Sequence, residues 1–494
     1  MRDAMDKRLY ILNRSASSEG LSYLKTILLI PLLLLLTTCA VNPVTGRHEL
    51  MLVSESEEIA IGREAAPSLK WSYGGEYRDE RLRAYLEGIV RRIWKHSERP
   101  YLPMTFVIQN TTLPNAFALP GYVAITRGLL AELDNEAQFV AVMGHEVGHV
   151  MARHTARRIT LGTLQQLGLI IGGIALGGKS GGNTLLQVGA IGSSLLMLKF
   201  DRSQELEADR LGVKYMAMLG YDPYEAIKAH DRLEVAINKY LRNLGKRRQE
   251  DNFLTTILST HPREEVRKEE MLQMIKRLPP YKVRGDGRFR KRFQRAIRRL
   301  RQINRVYYVY DRAVLNFNKD RIERAEALLK KAIEKANREA PFYNLYGMIE
   351  YKKGEYKSAE RYFRKALSLY PDYQPAFYGL GILSLKEKEY YEAVNRFKKS
   401  LGLFPDHAPS HFGLGKSYFY LGRYSSAIPH LRAFASAAPG HPEVHGLLGI
   451  CYENTGNIRA AIREYSLQVR IAPHSDLGRY ARQRLFVLRG FYRR

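Results

Sequence analysis

A chain of 494 residues is too long for one ordinary core and predicts more than one domain. With 45% hydrophobic and 26% charged residues it is globular rather than disordered, and its two cysteines, Cys39 and Cys451, exclude a disulfide scaffold. A net charge of +28 points to nucleic acid, an anionic membrane surface or acidic partners; no zinc-finger or RNA-binding signature is present, so no nucleic-acid partner is expected.

The N-terminus bears on the compartment. In "YLKTILLIPLLLLLTTCAVNPVTG" a basic Lys25 precedes an apolar run from Ile27 to Leu36. The run is shorter than the ~20 residues of a comfortable transmembrane helix and has the length and flank of a signal peptide. Leu-Thr-Thr-Cys resembles a bacterial lipobox, although Thr38 stands where Gly, Ala or Ser is usual. Residues 1–38 are therefore expected to be a lipoprotein-type signal peptide, with Cys39 lipidated; a plain anchor or an ordinary cleaved signal is the alternative. Ala40 in place of Asp favours the outer membrane, giving a periplasmic protein held there by its lipid. Cys451 is then left without a partner.

Residues 39–275 are expected to form one mixed domain. "MTFVIQN" and "YVAITR" have strand character, and Leu129–His154 and Arg202–Leu219 have helical character. Between the helices lies the apolar, glycine-rich stretch 161–198. A transmembrane hairpin is one reading. Gln165, Gln166, Lys179, Asn183 and Gln187 interrupt the stretch and favour buried or membrane-facing helices joined by a Gly-rich loop.

The chemistry starts in "VMGHEVGHVMARH", Val142 to His154. On a helix, residues i and i+4 share a face, so His145 and His149 aim their imidazoles at one point. Glu146 is displaced by one position and can reach a water there, which is the logic of HExxH. "SQELEADR" offers a third ligand in Glu205, with Asp209 one turn on. In gluzincin-type proteases the first such carboxylate binds zinc and the second orients a ligand histidine. Glu207 competes for the ligand role but points to another face than Asp209. His154, off the ligand face, is expected to be structural or supporting.

With "NPVTGRHELMLVSESEEIAIG", "NAFALPG" and "STHPREEVR", these motifs resemble the zinc metallopeptidase family of HtpX and the CAAX prenyl proteases, in its periplasmic, BepA-like branch with tetratricopeptide repeats. The resemblance implies one Zn2+ per chain on His145, His149 and Glu205, with Glu146 as general base. It implies that Asn115, Ala116 and Phe117 open an edge strand along which an extended substrate pairs. It suggests His261 as a switch ligand that holds the enzyme latent; a turn histidine fixed by Pro262 is the alternative. One departure is visible: the family's two glycines after the proline are here Gly121 followed by Tyr122.

Residues 276–305 hold thirteen Lys or Arg and one acid, Asp286. The segment reads as a basic linker, either a solvated face or a contact with anionic lipid headgroups. Beyond it a period of 34 residues is countable: Gly347, Gly381, Gly415 and Gly449, with Pro371, Pro405, Pro439 and Pro473. Phe363, Phe397, Leu431 and Tyr465 share the period. This is the spacing of tetratricopeptide helix pairs, five of them over 306–475, with 476–494 as a cap helix. The expected fold is mainly α: an α+β gluzincin-type metalloprotease domain followed by an α-solenoid. Projection of the repeats gives a basic, aromatic groove of Tyr351, Tyr378, Phe412, Phe419 and Tyr420 with Lys352, Lys386 and Lys416.

Such a groove suits unfolded or unassembled envelope proteins, since β-barrel strands are rich in aromatics, with the outer-membrane assembly machinery as a further candidate partner. The expected function is a zinc endopeptidase that degrades misfolded or unassembled outer-membrane proteins. The alternative is a periplasmic chaperone or assembly scaffold with a latent protease site.

Overall fold

A computed structural model describes residues 39–175, 200–246 and 265–491. The expected signal-peptide segment, the second half of the apolar stretch and His261 lie outside them. Among the described residues no helix is long and apolar enough to cross a membrane.

The chain opens with a hairpin of β1 (Cys39–Val41) and β2 (His48–Leu50). Asn42 turns it, its Oδ1 accepting from the Val44 and Thr45 amides. Helix α1 (Glu55–Ser72) begins in a Ser54/Glu57 capping box, and α2 (Glu80–Lys95) buries an apolar face that includes Leu86, Val90 and Ile93. A three-stranded sheet follows in the order β3 (Phe106–Gln109), β5 (Tyr122–Thr126), β4 (Ala116–Leu119). β3 runs parallel to β5, and β4 runs antiparallel to it. The β4–β5 turn is only Pro120-Gly121, with Gly121 at φ +91, so the single glycine is sufficient for a tight connection.

The helix expected over Leu129–His154 is broken at both ends. A short α3 (Arg127–Leu130) precedes it, and Asn135 caps a fresh start for α4 (Glu136–Met151). Arg153 then adopts a left-handed φ of 58, held by bonds to Glu58 (2.9 Å) and the Val53 carbonyl (2.8 Å). The chain turns there, and His154 heads α5 (His154–Ala175). Helix α6 (Arg202–Met218), capped by Asp201, lies against α4, followed by α7 (Glu225–Leu244) and α8 (Glu265–Lys276).

The basic segment 276–305 is exposed along most of its first half, but its second half packs. It forms α9 (Arg290–Ala296) and the start of α10 (Arg298–Asn318), and Phe293, Ile297 and Leu300 are buried in the core of the first domain. Arg292 pairs with the buried Glu136 at the head of α4, and Arg301 donates to the Ala131 and Leu133 carbonyls at 2.7 Å. The charges ride on an amphipathic helix whose apolar stripe the sequence pattern of Lys and Arg concealed.

α10 and α11 (Ile322–Lys335) make the first repeat pair. α12 (Ala340–Lys353) with α13 (Tyr356–Leu369), α14 (Gln374–Lys386) with α15 (Tyr390–Leu403), α16 (Ala408–Tyr420) with α17 (Tyr424–Ala437), and α18 (Val444–Asn454) with α19 (Ile458–Ile471) follow. α20 (Asp476–Phe491) closes the array. The period has a steric cause. A Cβ on Gly347 or Gly379 would stand 2.6 or 2.5 Å from the buried Phe363 ring, and Gly381 and Gly413 clasp Phe397 in the same way. Each ring fills the space that two glycines, on successive first helices, leave open.

Of the expected groove residues, some also pack within the array. Tyr351, Tyr378, Phe412 and Phe419 are half-buried, Phe412 stacking on Phe434 at 4.4 Å, while Tyr420 is exposed. The array docks on the first domain through Trp71, whose ring lies 5.8 and 5.7 Å from those of Tyr370 and Tyr373. Tyr307 of α10 donates to Glu339 at 2.7 Å, accepts from Asn110 at 2.8 Å and lies under the Arg127 guanidinium at 3.9 Å.

Candidate metal centre

Two helices make the centre by close approach. A Cβ on Gly144 would stand 3.1 Å from the Gly212 Cα, and one on Gly148 would stand 3.1 Å from the Ala208 carbonyl oxygen. Glycine on α4 and small residues on α6 therefore let the backbones nearly touch, which brings Glu205 to the two histidines. His145 Nε2 and His149 Nε2 are 3.1 Å apart, and the Glu205 oxygens lie 3.6 and 3.5 Å from them. Among the described residues this is the group of three that could hold a metal ion.

The spacing suits a tetrahedral zinc, around which ligand atoms stand about 3.3 Å apart. The second ring nitrogens supply an independent fit. His145 Nδ1 donates to Asp209 Oδ1 at 2.8 Å, so its Nε2 carries the lone pair. His154 Nε2 donates to Glu207 Oε2 at 3.1 Å, so His154 Nδ1 accepts from His149 Nδ1 at 2.9 Å. That relay leaves a lone pair on His149 Nε2 as well. Two lone pairs and a carboxylate facing one point repel one another, and a cation between them removes the repulsion.

Burial acts to raise the Asp209 carboxyl, but the hydrogen bond from His145, the nearby His230 ring at 3.8 Å and the charge of Arg267 hold it well below the usual carboxylate range. Arg267 reaches Asp209 at 2.9 and 2.8 Å and Glu205 at 2.8 Å. Glu146 is buried and lines, with His145, an apolar cavity of about 80 Å³. Ala141, Val142, Val213, Leu233 and Met271 form its walls, and Asn115 and Ala116 lie at its rim. Ala116 begins β4, the edge strand of the described sheet. Phe117 faces the other way, its ring 5.1 Å from Tyr73 and 6.1 Å from Tyr122.

The sequence reading named His145, Glu146, His149, Glu205, Asp209, Asn115 and Ala116, and the structure brings these seven together. It assigned no role to Arg267, although "STHPREEVR" contains it, and it passed over His230, which no motif marks. His154, expected to be structural or supporting, bonds to His149; that Glu207 partners it follows only from the turn at the left-handed Arg153.

Residues 80–275 match the model of peptidase family M48, and residues 340–373 and 412–476 match tetratricopeptide repeat models. Along the chain, the match to a peptidase family M48 model is thus followed by matches to tetratricopeptide repeat models. The chain is 28% identical over 219 residues, 43% of this chain and 42% of the other, to the beta-barrel assembly-enhancing protease of Escherichia coli (strain K12). It is 29% identical over 216 residues, 42% of this chain and 40% of the other, to the mitochondrial metalloendopeptidase OMA1 of Arabidopsis thaliana. The matched region thus spans about two-fifths of the length of these curated relatives. Among solved structures, the tetratricopeptide protein YrrB aligns at 24% identity with a TM-score of 0.30, covering 38% of this chain and 97% of that one.

Proposed function

We propose that this protein is a zinc-dependent endopeptidase of the bacterial cell envelope that degrades misfolded or unassembled outer-membrane proteins, with the repeat array recruiting them. The observation that carries the reading is the convergence of His145 Nε2, His149 Nε2 and the Glu205 carboxylate beside Glu146 and an edge strand. The names of the relatives, a beta-barrel assembly-enhancing protease and a metalloendopeptidase, support the reaction and the client class.

In this reading His145, His149 and Glu205 hold one zinc ion per chain. When bound, zinc supplies the Lewis acidity that polarises a scissile carbonyl and brings the pKa of water towards neutrality. Glu146 takes the proton of the attacking water and returns it to the leaving amine. Asp209 holds the His145 ring, and Glu207 acts through His154 to hold the His149 ring. An extended client pairs with β4 through backbone groups, which reads conformation more than sequence and favours unfolded chains. Lipidated Cys39 places the protein in the periplasm on the outer membrane, and His261 is a candidate switch ligand.

Glu146→Gln tests the reading on the full chain. Zinc content and binding of an unfolded barrel protein are expected to persist while cleavage is lost. A Glu146→Gln protein that still cleaves would overturn the assignment. A wild-type chain that holds zinc, binds the client and never cleaves it would favour the scaffold role.

A further inference from the structure

The loop between α8 and α9 crosses the C-terminal end of α6 and is held there. Arg284 N donates to the Gly220 carbonyl at 2.8 Å, and Asp222 N donates to the Gly287 carbonyl at 3.1 Å. Gly220 and Gly287 both adopt positive φ, and a Cβ on Gly287 would stand 2.5 Å from the Val283 methyl that covers it. The loop is therefore a fixed surface feature.

This surface displays apolar bulk to water. Tyr281 and Val283 on the loop are 37% and 40% exposed, and Met218 and Tyr224, on either side of the Gly220 turn, are 51% and 44% exposed. Burial, with Tyr224 and Asp222 nearby, raises the pKa of the Tyr281 hydroxyl. Along the same stretch of chain Lys276, Arg277, Lys282, Arg284, Arg290 and Lys291 are all exposed. None of the six forms an ion pair among the described residues, whereas Arg288 pairs with Asp222 and Glu225, and Arg292 with Glu136. The exposed acid of the loop, Asp286, turns its carboxylate back to the Arg288 and Phe289 amides at 3.1 and 2.8 Å.

Six exposed cations with no ion pair among the described residues, on the stretch of chain that carries part of an exposed cluster of two tyrosines, a valine and a methionine, match the layering of a bilayer surface. Tyrosine rings sit at headgroup level, small apolar groups reach past it, and lysine and arginine stems let their charges remain at the phosphates. We propose that this patch seats the metalloprotease domain on an anionic phospholipid surface. Met218 is thirteen residues from Glu205 along α6, about 20 Å at the rise of a helix. The metal centre then stands clear of the headgroups on the aqueous side, within reach of chains that emerge from the membrane.

The test is flotation of the full chain with vesicles of equal parts phosphatidylglycerol and phosphatidylcholine, against phosphatidylcholine alone. One variant carries Lys276→Glu, Lys282→Glu, Arg290→Glu and Lys291→Glu; another carries Tyr281→Ser and Val283→Ser. All proteins share the same N-terminal apolar segment, so its contribution cancels in the difference between the two vesicle types. Wild type is expected to prefer the anionic vesicles by at least about tenfold. The charge variant should lose that preference, and the apolar variant should dissociate at lower salt than wild type. Equal binding of wild type to both vesicle types, or an unchanged preference in the charge variant, would overturn the proposal. So would loss, in the charge variant, of binding to an acidic polypeptide with vesicle binding intact, because that assigns the patch to a protein partner.

Discussion

Arg267 grips Asp209 with two nitrogens, Nε to Oδ2 at 2.9 Å and Nη2 to Oδ1 at 2.8 Å. Asp209 Oδ1 in turn accepts from His145 Nδ1, so an arginine on α8 sets the orientation of an imidazole on α4. The third nitrogen, Nη1, lies 2.8 Å from Glu205. Arg267→Gln leaves two buried carboxylates without this cation. We expect a loss of ~3 kcal/mol in stability and a fall in zinc affinity of about 10–100-fold. Thermal unfolding and chelator competition on the same protein measure both.

The relay from Glu207 through His154 makes a separate prediction. His154→Ala removes the acceptor that keeps the His149 proton on Nδ1. Zinc affinity should fall about tenfold with the repeats unaffected, whereas Glu207→Gln, which leaves the acceptor in place, should cost less. Equal affinity in His154→Ala and wild type would show that the relay does not govern the tautomer.

The repeat array can be probed at its glycines. Gly413→Ala places a methyl 2.3 Å from the Phe397 ring, which the surrounding helices leave no room to displace. Overpacking of this kind costs about 1–3 kcal/mol. Gly413→Ala should lower the unfolding temperature of the array, and a compensating Phe397→Leu should restore part of it.

Asp311 gives a pH dependence at the junction between the two domains. Burial pushes its carboxyl up to about 6, although the Thr112 hydroxyl and the Arg127 charge pull it down. Between the unfolded value near 3.9 and the folded value, the folded protein binds a proton that the unfolded chain has lost. Stability from this group is therefore greatest in acid and is lost as pH rises through about 6. Asp311→Asn should stabilise the protein by ~2 kcal/mol at neutral pH, with the gain vanishing below pH ~4. Chemical denaturation of both proteins across that range checks the sign.

Much of this protein was legible without coordinates. The 34-residue period follows from local sterics, a glycine on each first helix against a bulky side chain of the second, so counting was enough to find it. His145, Glu146 and His149 lie on one helix, and i to i+4 geometry aligned the two imidazoles before any packing was known. Asp209 stood one turn from Glu205 for the same reason. What only the tertiary structure decided depends on contacts between segments distant in the chain. Arg267 reaches Asp209 across 58 residues, and no local pattern encodes that pairing. The basic segment looked like a solvated linker because its charges dominate the composition, yet Phe293, Ile297 and Leu300 form one buried stripe once the segment meets the core. Repeat position places the groove aromatics on one face, but only the packing shows that Phe412 also meets Phe434 on the neighbouring helix. Periodicity specifies which residues share a face, and the position of the next element specifies whether that face meets protein or water.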